Sequence, residues 1–362
     1  MLPSTHHLGA KMISSKTVFV IGAGASSEVG LPLGTRLAEQ ISELLNYRFE
    51  FSRLEHGDAT FLEALRTHIK NHELANEHLV LARQISEGIR LVASIDNYID
   101  THRHDPRIAL LGKAAIAYLI LKAEKSSTLH FDTRGGRTRL PFSSYESTWL
   151  LRFGRQLVDG VPHERLDTIF DNLTIVCFNY DRCVEEFLAH YLAGVYSIEM
   201  FRARDLVDRL RIMRPYGGLG PLRPKDQLKG VPFAYDSFSS VFQLGQGLRT
   251  YTEQIGDDKL LSEIRSALSD AETIVFLGFA FHRQNLKLIR PETPLTARRL
   301  FASAFGFSDT DRGSIASRMA GLFSHQPAKR SAAKQKPEIH VRTDLKCAGL
   351  FDEYKWSMFS PS

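Results

Sequence analysis

The sequence predicts an α/β fold: a parallel sheet covered by helices on both faces, with a large helical insertion. Three observations carry that expectation. Residues Thr17–Ile21 form a continuous apolar run that ends in Gly22-Ala23-Gly24 and opens into a helical pattern, as buried parallel strands do. Two later runs, Leu173–Phe178 and Thr273–Gly278, also lead into polar residues and then helix-spaced apolar positions. Between the first and second of these strands, from about residue 50 to 165, helical spacing dominates and no strong strand pattern interrupts it.

After the first strand, Gly30-Leu31-Pro32 breaks the chain before an amphipathic helix with Leu33, Leu37, Ile41, Leu44 and Leu45 on one face. Helical spacing follows over 60–70, 73–101 and 107–125. Ser126–Arg139 is polar, with Gly135-Gly136 as the expected loop tip, and helical spacing returns at Trp149–Leu157. Beyond the second strand, Val195–Ile198 and Arg211–Met213 are short strand candidates, and Ile339–Arg342 reads as the last strand. The expected organisation is one domain over 12–323, a basic loop over 324–337, and a strand-helix closure over 338–362. Met1–Lys11 reads as an extension ahead of the domain.

An apolar content of 43% and a charged content of 24% place the chain among ordinary globular proteins, and 362 residues can bury a large core. No run approaches the roughly 18 apolar residues of a membrane span, and Met1–Ser15 lacks the apolar core of a signal peptide. Cys177, Cys183 and Cys347 form no Cys-x-x-Cys pair, so reduced thiols in the cytoplasm are expected and a zinc module is not. A net charge of +5 suits an anionic ligand without demanding one. Lys329, Arg330, Lys334 and Lys336 lie in an Ala/Ser/Gln-rich stretch that reads as a solvated loop. Nucleic-acid association is therefore the weakest reading.

Four segments can carry chemistry. Gly22 and Gly24 let backbone approach a pyrophosphate, with helix amides beyond them. Asn179-Tyr180-Asp181 follows the second strand, where open α/β sheets bind ligands; Asn179 can orient a ribose hydroxyl or a water, and Asp181 can do so or cap the next helix. Arg214-Pro215-Tyr216-Gly217-Gly218-Leu219-Gly220 follows a short strand, either wrapping a flat ligand or packing an aromatic turn. The strand 275–278 leads into Phe279, His282 and Asn285; His282 on its own reads more often as a surface or satisfied core histidine.

These segments, in this order, resemble the sirtuin-like domain. The pattern is Gly22-Ala23-Gly24-Ala25-Ser26 with Gly30-Leu31-Pro32, then Asn179-Tyr180-Asp181, then Tyr216 before Gly217-Gly218-Leu219-Gly220, then Leu277-Gly278-Phe279-Ala280-Phe281. More narrowly, it looks like the bacterial antiphage-defence branch, over about Thr17 to Asn285; Ile95-Asp96-Asn97-Tyr98-Ile99 is similar too.

The resemblance implies a Rossmann-like domain that binds NAD and hydrolyses it to nicotinamide and ADP-ribose, depleting the cell's NAD on infection. Gly22, Ala23, Gly24, Ala25 and Ser26 would hold the pyrophosphate, with Pro32, Gly217, Gly278 and Phe279 completing the site. Asn179 would position the ribose or the attacking water, supported by Asp181. The family carries a His where this chain has Tyr216, a poor base near neutrality that can still stack or donate a hydrogen bond. His282 would then be the substitute base. The alternative is a catalytically inactive NAD or ADP-ribose sensor, or a subunit of a larger defence complex. A homo-oligomer and a separate sensor or ATPase partner are further expectations; a metal is not. Without paired Cys-x-x-Cys motifs, lysine deacylation is not expected.

Overall fold

The computed structural model describes residues 13–131, 139–222, 230–255, 258–291, 297–323 and 337–359. The basic loop cations Lys329, Arg330, Lys334 and Lys336, the Gly135-Gly136 tip and the Met1–Lys11 extension lie outside these residues.

Strand β1 (Thr17–Ile21) is buried along its whole length, which is why its sequence is uniformly apolar rather than alternating. A hairpin of β2 (Arg48–Glu50) and β3 (Arg53–His56) stands apart from the sheet. The remaining strands are β4 (Leu173–Cys177), β5 (Arg211–Met213), β6 (Thr273–Leu277), β7 (Arg299–Ser303) and β8 (Glu338–Arg342). Together with β1 they form one six-stranded, all-parallel sheet in the order β5-β4-β1-β6-β7-β8. This is a Rossmann-like α/β fold. The chain leaves β1 toward β4 and β5, then crosses to β6 on the other side. The crevice beyond the C-terminal ends of β1 and β6 is therefore the topological switch point.

Alternate β1 residues serve two cores. Val18 and Val20 face the helices Gly34–Leu45 and Pro106–Ser126 of the N-terminal half, while Phe19 and Ile21 face Trp149–Val158, Cys183–Tyr196 and Cys347–Phe359. Glu28 links the second layer: its half-buried carboxylate accepts the Trp149 amide at 2.7 Å and the Ala348 amide at 3.0 Å. One side chain thus answers unsatisfied donors at two helix starts.

The insertion is mainly helical as expected, and the elements of the chain depart from expectation in four places. The hairpin stands at the start of the insertion. The 73–101 segment is two helices, His72–Gly88 and Ile95–Thr101, because Ser94 turns extended and its hydroxyl accepts the Asn97 amide. The expected strand at Val195–Ile198 is instead the end of helix Cys183–Tyr196, which stops at Ser197 in a left-handed conformation (φ 52°). Strand β7 was not anticipated. Among the described residues no helix is long and apolar enough to cross a membrane.

The insertion is fastened to the sheet by a buried ion pair. Glu124, in helix Pro106–Ser126, meets Arg182, just past β4, at 2.6 Å, and both residues are almost fully buried. Arg182 also donates to the Val231 and Pro232 carbonyls, and Glu124 accepts the Ala234 amide. Such satisfaction offsets the desolvation of both charges, but only while both are present. Glu124→Gln, which leaves the Arg182 charge buried and unpaired, is expected to lower stability by about 3–5 kcal/mol. Urea denaturation tests this; a loss below about 1 kcal/mol would show that the pair does not hold the insertion.

Candidate active site

The parallel register brings the sequence motifs to one level. Ile21 pairs with both Cys177 and Leu277, so Gly22, Phe178 and Gly278 all begin loops at the same edge of the sheet. Beyond them opens a cleft of about 690 Å³, lined by Gly22, Ala23, Gly24, Pro32, Asn179, Asp181, Tyr216, Gly278, Phe279 and His282. These ten were all singled out from the sequence. Ala25, Ser26 and Gly217 do not line it. Ala25 is buried and its carbonyl accepts the Trp149 indole at 2.9 Å; Ser26 stands behind Asn179; Gly217 packs on Gly247, whose oxygen would lie 2.0 Å from a Cβ there. A more open hollow of about 810 Å³ lies beyond the shared Leu31–Leu33 wall, without Asn179, Tyr216 or Gly278.

The floor is backbone against backbone. A Cβ on Gly22 would lie 2.6 Å from the Gly278 oxygen, and one on Gly24 would lie 2.7 Å from the Gly278 Cα. The Gly22 amide donates to Leu277 O (2.9 Å), the Gly24 amide to Gly278 O (3.0 Å) and the Ala25 amide to Gly22 O (3.0 Å). These three amides are thus committed within the protein. The glycines are explained first by the closeness of two loops.

Asn179 pins the same turn. Its amide nitrogen donates to the Gly22 carbonyl (3.0 Å) and to Ser26 Oγ (2.9 Å). Because Gly22 O can only accept, the side-chain oxygen of Asn179 must face the other way, and no protein donor meets it among the described residues. Asp181 is not the N-cap, which is Arg182, but stands one residue before it and accepts the first helix amide, that of Cys183, at 3.1 Å. Arg214 donates to the Asp181 carbonyl and pairs with Glu185 at 2.9 Å.

Tyr216 is held rather than free. Its hydroxyl donates to Asn285 Oδ1 at 2.6 Å, and its ring meets Phe178 edge-on at 5.8 Å. Burial, reinforced by the Asp96 charge, pushes its hydroxyl well above the usual tyrosine range, so it is not a base near neutrality. Phe279 completes this aromatic wall, 5.0 Å from Phe178. His282 is exposed at the start of helix Arg283–Leu288, on the rim.

Sequence reasoning missed Asp96 as a site residue. It comes from the insertion helix Ile95–Thr101, lines the cleft and accepts the Tyr180 hydroxyl at 2.7 Å. Burial, and to a lesser degree the Asp100 charge, outweigh that hydrogen bond and push its carboxyl up to about 6. The available signal was a carboxylate next to the buried Ile95 of a short helix that also buries Tyr98 and Ile99 behind a Ser94 cap. Phe305, Lys346 and Cys347, from the ends of β7 and β8, extend the cleft and were missed too. Burial pushes the Cys177 and Cys347 thiols up to about 12 and raises Cys183 as well, so none supplies a thiolate.

The chain matches no protein-family model and no curated protein.

Two outcomes follow. Gly278 and Gly306 both have positive φ (55° and 88°), but a Cβ at Gly278 would lie 2.1 Å from the Ala25 nitrogen, whereas Gly306 faces open space. Gly306→Ala is expected to cost about 1 kcal/mol and Gly278→Ala at least about 3 kcal/mol in thermal denaturation; equal losses would mean the two loops can part. Asp96 binds its proton more tightly folded than unfolded, so its charge destabilises the fold increasingly as pH rises from about 4 to 6. Asp96→Asn is expected to be more stable than wild type by about 1–2 kcal/mol at pH 7.5, with the difference gone below pH 4. A pH-independent difference would show that the carboxyl titrates normally.

Proposed function

We propose that this protein is an NAD glycohydrolase that cleaves NAD to nicotinamide and ADP-ribose. The observation that carries the reading is the convergence of Asn179, Tyr216, Gly278 and Asp96 on one cleft at the switch point of the sheet. Such crevices in open α/β sheets take nucleotides, and the order of the motifs resembles the sirtuin-like domain. The unpaired oxygen of Asn179 would hold a ribose hydroxyl or the attacking water. The aromatic wall of Phe178, Tyr216 and Phe279 would exclude bulk water from the glycosidic carbon as positive charge builds on the ribose. Antiphage defence by NAD depletion, as a homo-oligomer and with a separate sensor or ATPase partner, is the biological role the resemblance attaches to that reaction.

One observation favours the second reading, an inactive NAD or ADP-ribose sensor: the Tyr216 hydroxyl is engaged by Asn285 and stands where the family carries a histidine. The two differ in turnover. Purified protein is expected to release nicotinamide from NAD, and Asn179→Ala to lose at least about 100-fold of that rate under conditions where it remains folded, with about 1–3 kcal/mol of stability lost because Gly22 O and Ser26 Oγ lose their donor. A protein that NAD stabilises, by about 2.7 kcal/mol at 100 times Kd, without releasing nicotinamide would be a sensor.

A further inference from the structure

We propose that Asp96, carried into the cleft by the helical insertion, is the general base that activates the attacking water in NAD hydrolysis. The proposal rests on the glycohydrolase reading and names the group that reading leaves unassigned. Tyr216 cannot take a proton near neutrality, Asp181 is buried with its Oδ1 engaged by the Cys183 amide, and His282 is on the exposed rim. Among the described residues lining the cleft, Asp96 and Asp181 are the only carboxylates.

The surroundings suit a base. Four titratable or charged groups face Asp96: Tyr180 from the end of β4, Asp100 on its own helix, Lys113 on helix Pro106–Ser126, and Tyr216 after β5. Tyr180 donates one hydrogen bond to Oδ1 and so fixes the carboxylate's orientation. Lys113 does not neutralise it directly, because its ammonium is held by both oxygens of Glu253 at 2.6 Å. Asp100, one helical turn on and bonded to the Thr252 hydroxyl, adds a second negative charge nearby. Burial and the like charge together hold the carboxyl near the operating pH, where a general base works best.

The step balances with water alone. A water oxygen bonds to C1′ of the nicotinamide ribose as the bond from C1′ to the nicotinamide nitrogen breaks. The electron pair of that bond returns to the ring nitrogen and neutralises the pyridinium. The proton of the water passes to Asp96, which later releases it to solvent.

The test is nicotinamide release from NAD between pH 4.5 and 8.5 by wild type, Asp96→Asn and Tyr180→Phe. An NAD-induced melting shift runs in parallel. Asn at 96 keeps the acceptor for Tyr180 and removes only the base. The expected results are a wild-type kcat that rises through an inflection at about pH 6 and a kcat lowered about 10²–10⁴-fold in Asp96→Asn, which NAD still stabilises. Tyr180→Phe, a positioning variant, is expected to keep turnover but move the inflection to higher pH, since a hydrogen bond to the charged form is lost. Asp96→Asn turning over within threefold of wild type overturns the base and leaves the glycohydrolase standing, as does a flat wild-type profile. No release by wild type overturns the glycohydrolase reading and the base with it.

Discussion

Gly22, Gly24 and Gly278 meet with no room for a single additional carbon, and this contact sets the geometry of the whole C-terminal edge of the sheet. It arises because β1 and β6 are in register and both end in glycine, so the loops leaving them collide unless neither has a side chain. With the loops closed on each other, Gly22 O is presented to Asn179 from the neighbouring strand, and that hydrogen bond orients the Asn179 oxygen. Ser303 extends the same line, accepting the Gly278 amide at 3.0 Å while contacting Cys347. Four of the six strands are thereby tied together through two glycines, Gly22 and Gly278.

That arrangement explains which parts of the fold were legible. β1, β4 and β6 are central and largely buried, so each is a mostly apolar word, broken in β4 only by Thr174, that leads into a glycine or an asparagine. β7 is as long and nearly as buried, but Arg299 at its start and Ser303 at its end leave only three apolar residues, Leu300-Phe301-Ala302, between them. The Val195–Ile198 expectation failed for a related reason: helix Cys183–Tyr196 is buried on nearly every side, and an all-round apolar helix cannot be told from a strand over a few residues. The β2–β3 hairpin has the alternating pattern of a strand pair, but its turn is Phe51-Ser52, both at positive φ, without the glycine or asparagine that normally announces such a turn.

The site was legible where it hangs from strand ends and illegible where tertiary docking supplies it. Asn179, Tyr216 and Gly278 are each within three residues of a strand, so strand recognition alone located them. Asp96 lies 84 positions from the tyrosine it bonds, and nothing local announces that its helix will turn toward the sheet. The glycines carried a different ambiguity. Close approach to a phosphate and close approach to another loop demand the same residue, and only coordinates separate them; here three amides of the turn are already bonded within the protein.

The insertion is therefore more than a cover for one face of the sheet. It brings Asp96 into the cleft, and the Glu124–Arg182 pair anchors it immediately beside Asn179-Tyr180-Asp181. Arg182 and Tyr180 are two residues apart, one gripping the long insertion helix and the other the carboxylate of the short one. Any displacement of the insertion relative to β4 must strain both contacts at once. A buried pair of charges costs much if separated, so the anchor resists gradual sliding and favours a docked or an undocked state. Asp96 pulls the other way, since its charge is held where burial and Asp100 both oppose it. A site assembled from a firm anchor and a strained carboxylate is what a proton-accepting group requires: the anchor holds the carboxylate in place, and the strain keeps its proton affinity high enough to use.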